Sequence, residues 1–207
     1  MKSLFFVVVP LLVAACATPM ATQKSELNAR TSCCKSVAEF KFDALDNEKE
    51  HELALGSSSF VFDFPTGKSY FASYKLPDGT KRALLIKSQF NGTYIGQFLQ
   101  PIFTFLDSEK REVSTFSPRL SFIPPAFVPY TVAHMSGGIA VPDSAEFVVI
   151  YTKDFSNTAV GASVPQAPTV FTAGKVPVVV PNAPAQRTFE LSPSGVLVLK
   201  PFAARAN

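Results

Sequence analysis

From residue 39 onward, short apolar stretches alternate with turn residues at the interval of a sheet protein, and several stretches show the two-residue period of half-buried strands. Phe60, Phe62 and Phe64 share one face of the first. Residues 68–76 place Tyr70, Ala72, Tyr74 and Leu76 on one side and Phe71 on the other; the turn Pro77-Asp78-Gly79 that follows predicts a hairpin with a strand at 83–87. Asn91-Gly92, between Phe90 and Tyr94, predicts a second hairpin, because both residues tolerate the positive φ of a two-residue turn. Strands are expected at 102–106, 113–116 and 127–133, with Pro124-Pro125 forbidding helix between them. Ser136-Gly137-Gly138 reads as a loop leading into 139–141. Residues 146–152 carry Val148 and Ile150 against Phe147, Val149 and Tyr151, a strand apolar on both sides that belongs in the middle of its sheet.

Toward the C-terminus, 154–168 reads as a long surface connection, and the proline-punctuated stretch 176–185 as an edge strand or extended segment. Strands at 188–191 and 196–199, joined by Ser192-Pro193-Ser194-Gly195, predict a closing hairpin. Seventeen prolines break helices, while 47% hydrophobic against 17% charged residues supply a core, so the expected fold is all-β. Its form is an antiparallel β-sandwich, jelly-roll or Ig-like, with long proline-rich loops. At 207 residues one domain is expected, at 38–207.

The N-terminus is different. Lys2 precedes an apolar run at 4–13, too short for a bilayer core of ~30 Å but of the length of a signal peptide. Val13-Ala14-Ala15-Cys16 then resembles the lipobox of bacterial lipoproteins, with small residues before an obligatory cysteine. On that reading 1–15 is removed and Cys16 takes a diacylglyceryl thioether and an acylated amine. At about 0.8 kcal/mol per buried methylene, two or three chains hold firmly where one holds marginally. The alternative is an ordinary leader in which Cys16 is one more small residue. Ala17, where aspartate would signal inner-membrane retention, favours the periplasmic face of the outer membrane. Residues 16–37 lack an apolar period and read as a flexible tether, about 25 Å in reach.

Charge adds exclusions. A formal +3 with interspersed signs, and basic pairs no denser than Lys81-Arg82 and Lys110-Arg111, gives no nucleic-acid face. Cys33 and Cys34 are adjacent and read as a vicinal disulfide, a bridge to another chain or small buried thiols; without His or Asp nearby they make no metal set. His51 sits in a charged stretch expected to be a solvated turn or short helix. His134, two residues before Ser136, invites a nucleophile–base pair but lacks the Gly-x-Ser-x-Gly elbow. Thr66-Gly67-Lys68-Ser69 ends like a phosphate loop, yet Asp63 stands where the first glycine belongs and a strand follows. No cofactor and no catalytic constellation is expected. Aromatic faces stack on sugar rings, which makes Tyr70, Tyr74, Tyr94, Tyr130 and Tyr151 the candidates for carbohydrate binding, with core packing as the alternative for each; tryptophan, the commonest sugar platform, is absent.

The run from Phe62-Asp63-Phe64-Pro65-Thr66-Gly67-Lys68-Ser69-Tyr70-Phe71 through Leu76-Pro77, Pro101-Ile102-Phe103, Leu106-Asp107 and Phe147-Val148-Val149-Ile150-Tyr151-Thr152 resembles, in order and spacing, the maltose operon periplasmic protein family, MalM, over about 38–201. The family is exported and named for its genetic association with maltose and maltodextrin uptake. The resemblance implies a periplasmic accessory role in carbohydrate transport, with maltodextrin or a transport component of the envelope as partner; it carries over no binding residues. The second reading is an envelope structural or protein-interaction module without sugar.

Overall fold

The computed structural model describes residues 18–46, 49–78, 82–92, 96–127, 129–152, 159–173 and 175–203. The leader, Cys16 and Tyr94 lie outside them. Among the described residues a helix, α1 (Met20–Ala29), and one 3-10 turn at Val37–Glu39 come first. The strands follow in order: β1 (Asp43–Ala44), β2 (His51–Leu55), β3 (Phe60–Phe64), β4 (Gly67–Lys75), β5 (Arg82–Asn91), β6 (Gln97–Phe98), β7 (Pro101–Leu106), β8 (Glu112–Phe116), β9 (Ser121–Ile123), β10 (Ala126–Phe127), β11 (Tyr130–Thr131), β12 (His134–Ala140), β13 (Phe147–Thr152), β14 (Ala159–Val164), β15 (Thr169–Ala173), β16 (Val176–Val180), β17 (Ala185–Leu191) and β18 (Gly195–Ala203).

The first sheet runs β1-β4-β13-β7-β8, with β3 on β4; the second runs β14-β17-β6-β5-β12-β9, with β18 joining β5 to β2. The ladders are antiparallel except two short parallel joints, β1 on β4 and β6 on β17. The molecule is an all-β sandwich. Its main core lies between the sheets, where Tyr70, Phe103, Phe105, Val148 and Ile150 of the first meet Leu53, Leu84, Ile86, Met135, Leu197 and Leu199 of the second. Alternation sends Phe71, Val149 and Tyr151 to the opposite face of the first sheet, where they form a second core with Phe64, Ile102, Leu106 and Phe40. Strand β13 feeds both cores and is paired on both edges, by β4 and β7, which accounts for its unbroken apolar sequence.

That second core corrects the expected tether. Cys34, Val37, Phe40 and Phe42 lie over the outer face of the first sheet, and upstream of them α1 buries Leu27 and Gln23. Met20, Gln23 and Leu27, at i, i+3 and i+7, face the core, and with a glutamine in the middle and only two apolar members the row makes no apolar stripe, so hydrophobic period gave no sign of the helix.

Three expected turns behave otherwise than their local chemistry suggested. Pro77-Asp78 does not close a hairpin: β4 lies in the first sheet and β5 in the second, so the chain changes layers there. Ser192-Pro193-Ser194 likewise hands the chain from β17, on β14 and β6, to β18, on β2 and β5, in place of the closing hairpin. Strands β5 and β6 do pair, Phe90 opposite Phe98 and Asn91 opposite Gln97, but through residues 92–96 instead of a two-residue turn. Ser136-Gly137-Gly138 is not a loop; it is the middle of β12.

The expected surface connection at 154–168 contains β14, paired with β17 from Ala159 opposite Glu190 to Val164 opposite Ala185. Beyond, β15 pairs with β16 from Thr169 opposite Val180 to Ala173 opposite Val176. Four residues intervene on each strand in one shared register, so Pro165 falls opposite Pro184 and Pro168 opposite Pro181. Residues 159–190 thus form one long arm interrupted by facing prolines. Its near half turns Val160, Ala162 and Val164 to the core, while its far half pairs only with itself.

Candidate functional site

On the solvent face of the second sheet the alternation of β5 turns Lys87 and Gln89 outward. The register sets His134 of β12 opposite Gln89 and Val198 of β18 opposite Lys87. The chain between β9 and β12 folds as the ribbon β10–β11 and carries Tyr130, 77% exposed, beside this row. Together with Glu50, Thr131 and Val132 these residues line an open groove of about 300 Å³. Lys87 Nζ lies 2.9 Å from Glu50 Oε1, and this hydrogen bond, with the charges of Lys87 and Lys200, outweighs desolvation and holds the Glu50 carboxyl below its usual value. His134 Nδ1 stands 2.8 Å from the Val132 carbonyl; a carbonyl only accepts, so Nδ1 carries a proton in this contact. The groove offers one aromatic face, two valines, an amide, a hydroxyl, an imidazole and a carboxylate–ammonium pair. That set suits a small ligand with an apolar C–H face and a rim of hydroxyls, at the small end of ligand-pocket size.

Of the other tyrosines nominated for stacking, Tyr70 and Tyr151 are buried, 2% and 4% exposed, and cannot present a ring to a sugar. Tyr151 stacks on Phe64 with centroids 3.8 Å apart, its hydroxyl 3.3 Å from Thr104 Oγ1. Tyr74 is half-buried against the main core. Burial raises the phenol pKa of all three; Asp43 adds to the rise at Tyr74, and the Thr104 hydrogen bond opposes it at Tyr151. Tyr130 therefore stands alone among the described candidates in exposing its ring.

A second cavity, about 310 Å³, lies where α1 meets the sandwich and is lined by Gln23, Glu26, Tyr70, Asn91 and Ser194 among others. The Gln23, Asn91 and Ser194 groups there are spent on one another and on Ser192. Gln23 Oε1 accepts from Ser192 Oγ at 2.6 Å and Ser194 Oγ at 2.9 Å, while Nε2 donates to Thr18 O at 2.6 Å and Gln97 Oε1 at 3.0 Å. Asn91 Nδ2 completes the net on Ser192 Oγ and the Ser194 carbonyl, both at 2.8 Å. This is a clamp for the helix.

The remaining sequence candidates take structural positions. His51 opens β2 instead of a turn or helix, and its Nε2 accepts the Asp46 N–H at 2.8 Å. Ser136 follows His134 by two strand residues, about 7 Å, and no hydrogen bond joins them. Of Thr66-Gly67-Lys68-Ser69, Thr66 belongs to the β3–β4 turn and the other three open β4, with Gly67 at φ 113; Lys68 Nζ donates to the Arg30 carbonyl at 2.9 Å, at the negative end of α1. Cys33 and Cys34 are joined as a vicinal disulfide, and the Cys33 N–H donates to the Val61 carbonyl at 2.8 Å, fixing the start of the segment that covers the second core. Among the described residues no three His, Cys, Asp or Glu gather to hold a metal, and no helix is long and apolar enough to cross a membrane.

Sequence reasoning named Tyr130 but not Glu50, Lys87 or Gln89. The outward polar positions of β5 were legible as alternation; their meeting with Tyr130 depends on β12 and β18 flanking β5, which no local signal carries. Comparison of the chain with family models, with curated proteins and with solved structures finds no match.

Proposed function

We propose that this chain is a non-catalytic lipoprotein of the bacterial envelope, anchored through Cys16 at the periplasmic face of the outer membrane, that assists maltose and maltodextrin uptake by holding sugar weakly in the Tyr130 groove. The observation that carries the binding step is Tyr130, the one exposed tyrosine among the described residues, set beside Gln89, His134 and the Glu50–Lys87 pair. The leader with its lipobox supports the address, and the MalM resemblance supports the substrate class. One aromatic platform and an open groove give an affinity on the order of millimolar, about −4 kcal/mol. Calorimetric titration with maltodextrins is expected to give saturable heat that Tyr130→Ala removes. Heat unchanged in that variant sinks the groove as the site, and no heat from either protein sinks sugar binding.

The second reading, an envelope structural or docking module without sugar, is favoured by the far half of the arm, where Val170, Phe171, Val176, Val179 and Val180 are all exposed. Calorimetric silence with maltodextrins, together with a stable complex with an envelope protein, would select it.

A further inference from the structure

The far half of the arm has two edges, and proline makes them unequal. Pro177 of β16 lies opposite Thr172 of β15 and has no N–H to give. Antiparallel pairs alternate between those that exchange hydrogen bonds and those that do not, and a strand proline keeps the ladder whole only where its nitrogen faces away from the partner. The 172–177 and 170–179 pairs are then the non-bonded ones, and 169–180, 171–178 and 173–176 the bonded ones. The outward edge of β16 therefore meets Pro177 and Pro181 on either side of Val179 and is blunted. The outward edge of β15 presents the N–H and C=O of both Val170 and Thr172, with no strand beside them among the described residues.

We infer that β15 is a self-association edge, at which a second copy of this chain pairs antiparallel about a two-fold axis through Phe171. Val170 of one copy then exchanges both backbone bonds with Thr172 of the other, and the reverse, four bonds in all. The arrangement closes at two copies, because the only edge left on each side is the proline-blunted β16. It turns a two-stranded ribbon, marginal in water, into four strands, and sets Val178, Phe171, the partner's Phe171 and the partner's Val178 in one apolar row across a face. Charge permits it. Residues 155–189 contain no Asp or Glu; of their two cations Arg187 lies opposite Ala162 in the near half, and Lys175 lies at the hairpin end, about three residues along the strand from the axis, so the two ammonium groups stand at least roughly 20 Å apart, beyond the screening length of about 8 Å. A bilayer is the poorer occupant, since hydrocarbon leaves those four backbone groups unpaired. Five residues a side fall short of the roughly 800 Å² per partner of a stable interface, so the dimer is weak and depends on concentration.

In the paired state the two 171 α-carbons form a non-bonded pair about 4.5 Å apart, within disulfide reach. Phe171→Cys in the full chain, oxidised over a concentration series, is expected to give a covalent dimer on a non-reducing gel above the wild-type background. Val179→Cys, on the blunted strand, is expected to stay at that background. Combining Phe171→Cys with Val170→Pro, which removes one outward N–H and leaves the internal ladder intact, is expected to abolish the covalent dimer with an unchanged circular dichroism spectrum. Equal cross-linking of the Phe171→Cys and Val179→Cys proteins overturns the inference without reliance on the proline variant. So does a Phe171→Cys dimer that survives Val170→Pro, a ladder of species beyond the dimer, or a mixed species with another protein in place of the dimer.

Discussion

Phe40→Ala tests whether the segment before β1 is part of the folded domain. Phe40 is 4% exposed and its ring centroid lies 4.2 Å from Phe71, 5.0 Å from Phe62 and 6.4 Å from Phe64. Removing a buried phenylalanine costs about 3–5 kcal/mol through lost transfer energy and the cavity left behind. Here the cavity lies under a single covering segment that can sink inward, which places the loss near the lower end, about 3 kcal/mol. Against a total stability of ~5–15 kcal/mol this is a large fraction. With a urea dependence of about 2 kcal/mol per molar, the midpoint falls by about 1.5 M in equilibrium denaturation followed by circular dichroism. Phe60→Ala is the control, because that ring is 59% exposed and its loss costs about 0.5–1 kcal/mol. If Phe40→Ala shifts the midpoint no further than Phe60→Ala, residues 33–42 are a loose tether and do not close the second core.

Three further outcomes are expected. Gln23→Ala removes the acceptor of the Ser194 hydroxyl and one of the two acceptors of the Ser192 hydroxyl, at a cost of about 1–3 kcal/mol, and speeds hydrogen exchange in α1 while β13 is unaffected; equal protection of α1 in both proteins would show that the clamp does not hold the helix. Gly137→Ala sets a methyl carbon 2.6 Å from the Arg119 carbonyl and costs about 1–3 kcal/mol, whereas at Gly138 the nearest atom is 3.6 Å away; equal thermal shifts of the two variants would refute the close approach. Asp107 accepts the N–H groups of Arg111 and Glu109 and the Arg111 guanidinium, and the Arg111 backbone bond above all holds its carboxyl below the usual value. A depressed folded pKa adds stability that is full above the unfolded value of about 3.9 and disappears as pH falls through the folded value. The deficit of Asp107→Asn in acid denaturation should therefore shrink toward zero below both values, and a deficit that widens there contradicts the assignment.

What could be read from the sequence follows from which forces are local. The face assignments of β4 and β13 were legible because alternation is a property of the strand itself: Tyr70 and Leu76 lie in one core and Phe71 in the other, as patterned. Pro77-Asp78 and Ser192-Pro193 were recognisable as turns, but not the first as a change of layer nor the second as a jump to a non-neighbouring strand of the same sheet, since a turn fixes the direction of the chain and not the strand it will pair with. Adjacent glycines favour a loop by local chemistry, yet those of β12 lie mid-strand; at Gly137 the cause is the Arg119 backbone, distant in sequence. Helix α1 was invisible because a polar net at Gln23 holds it in place of an apolar stripe. The arm is marked in the sequence itself: Pro165-Gln166-Ala167-Pro168 and Pro181-Asn182-Ala183-Pro184 mirror each other about residues 174–175, the register in which the two sides of the arm pair. At the groove, Tyr130 was one of five equal candidates until burial removed Tyr70 and Tyr151.

The claim that sugar is held at the outer face of the second sheet meets its most direct test in an amide chemical-shift titration of the isotope-labelled chain with maltodextrin. The account predicts saturable shifts gathered on Gln89, Tyr130, Thr131, His134 and Val198, the residues that line the groove. Shifts centred on the cavity at Gln23 and Asn91, or none at millimolar sugar, contradict it.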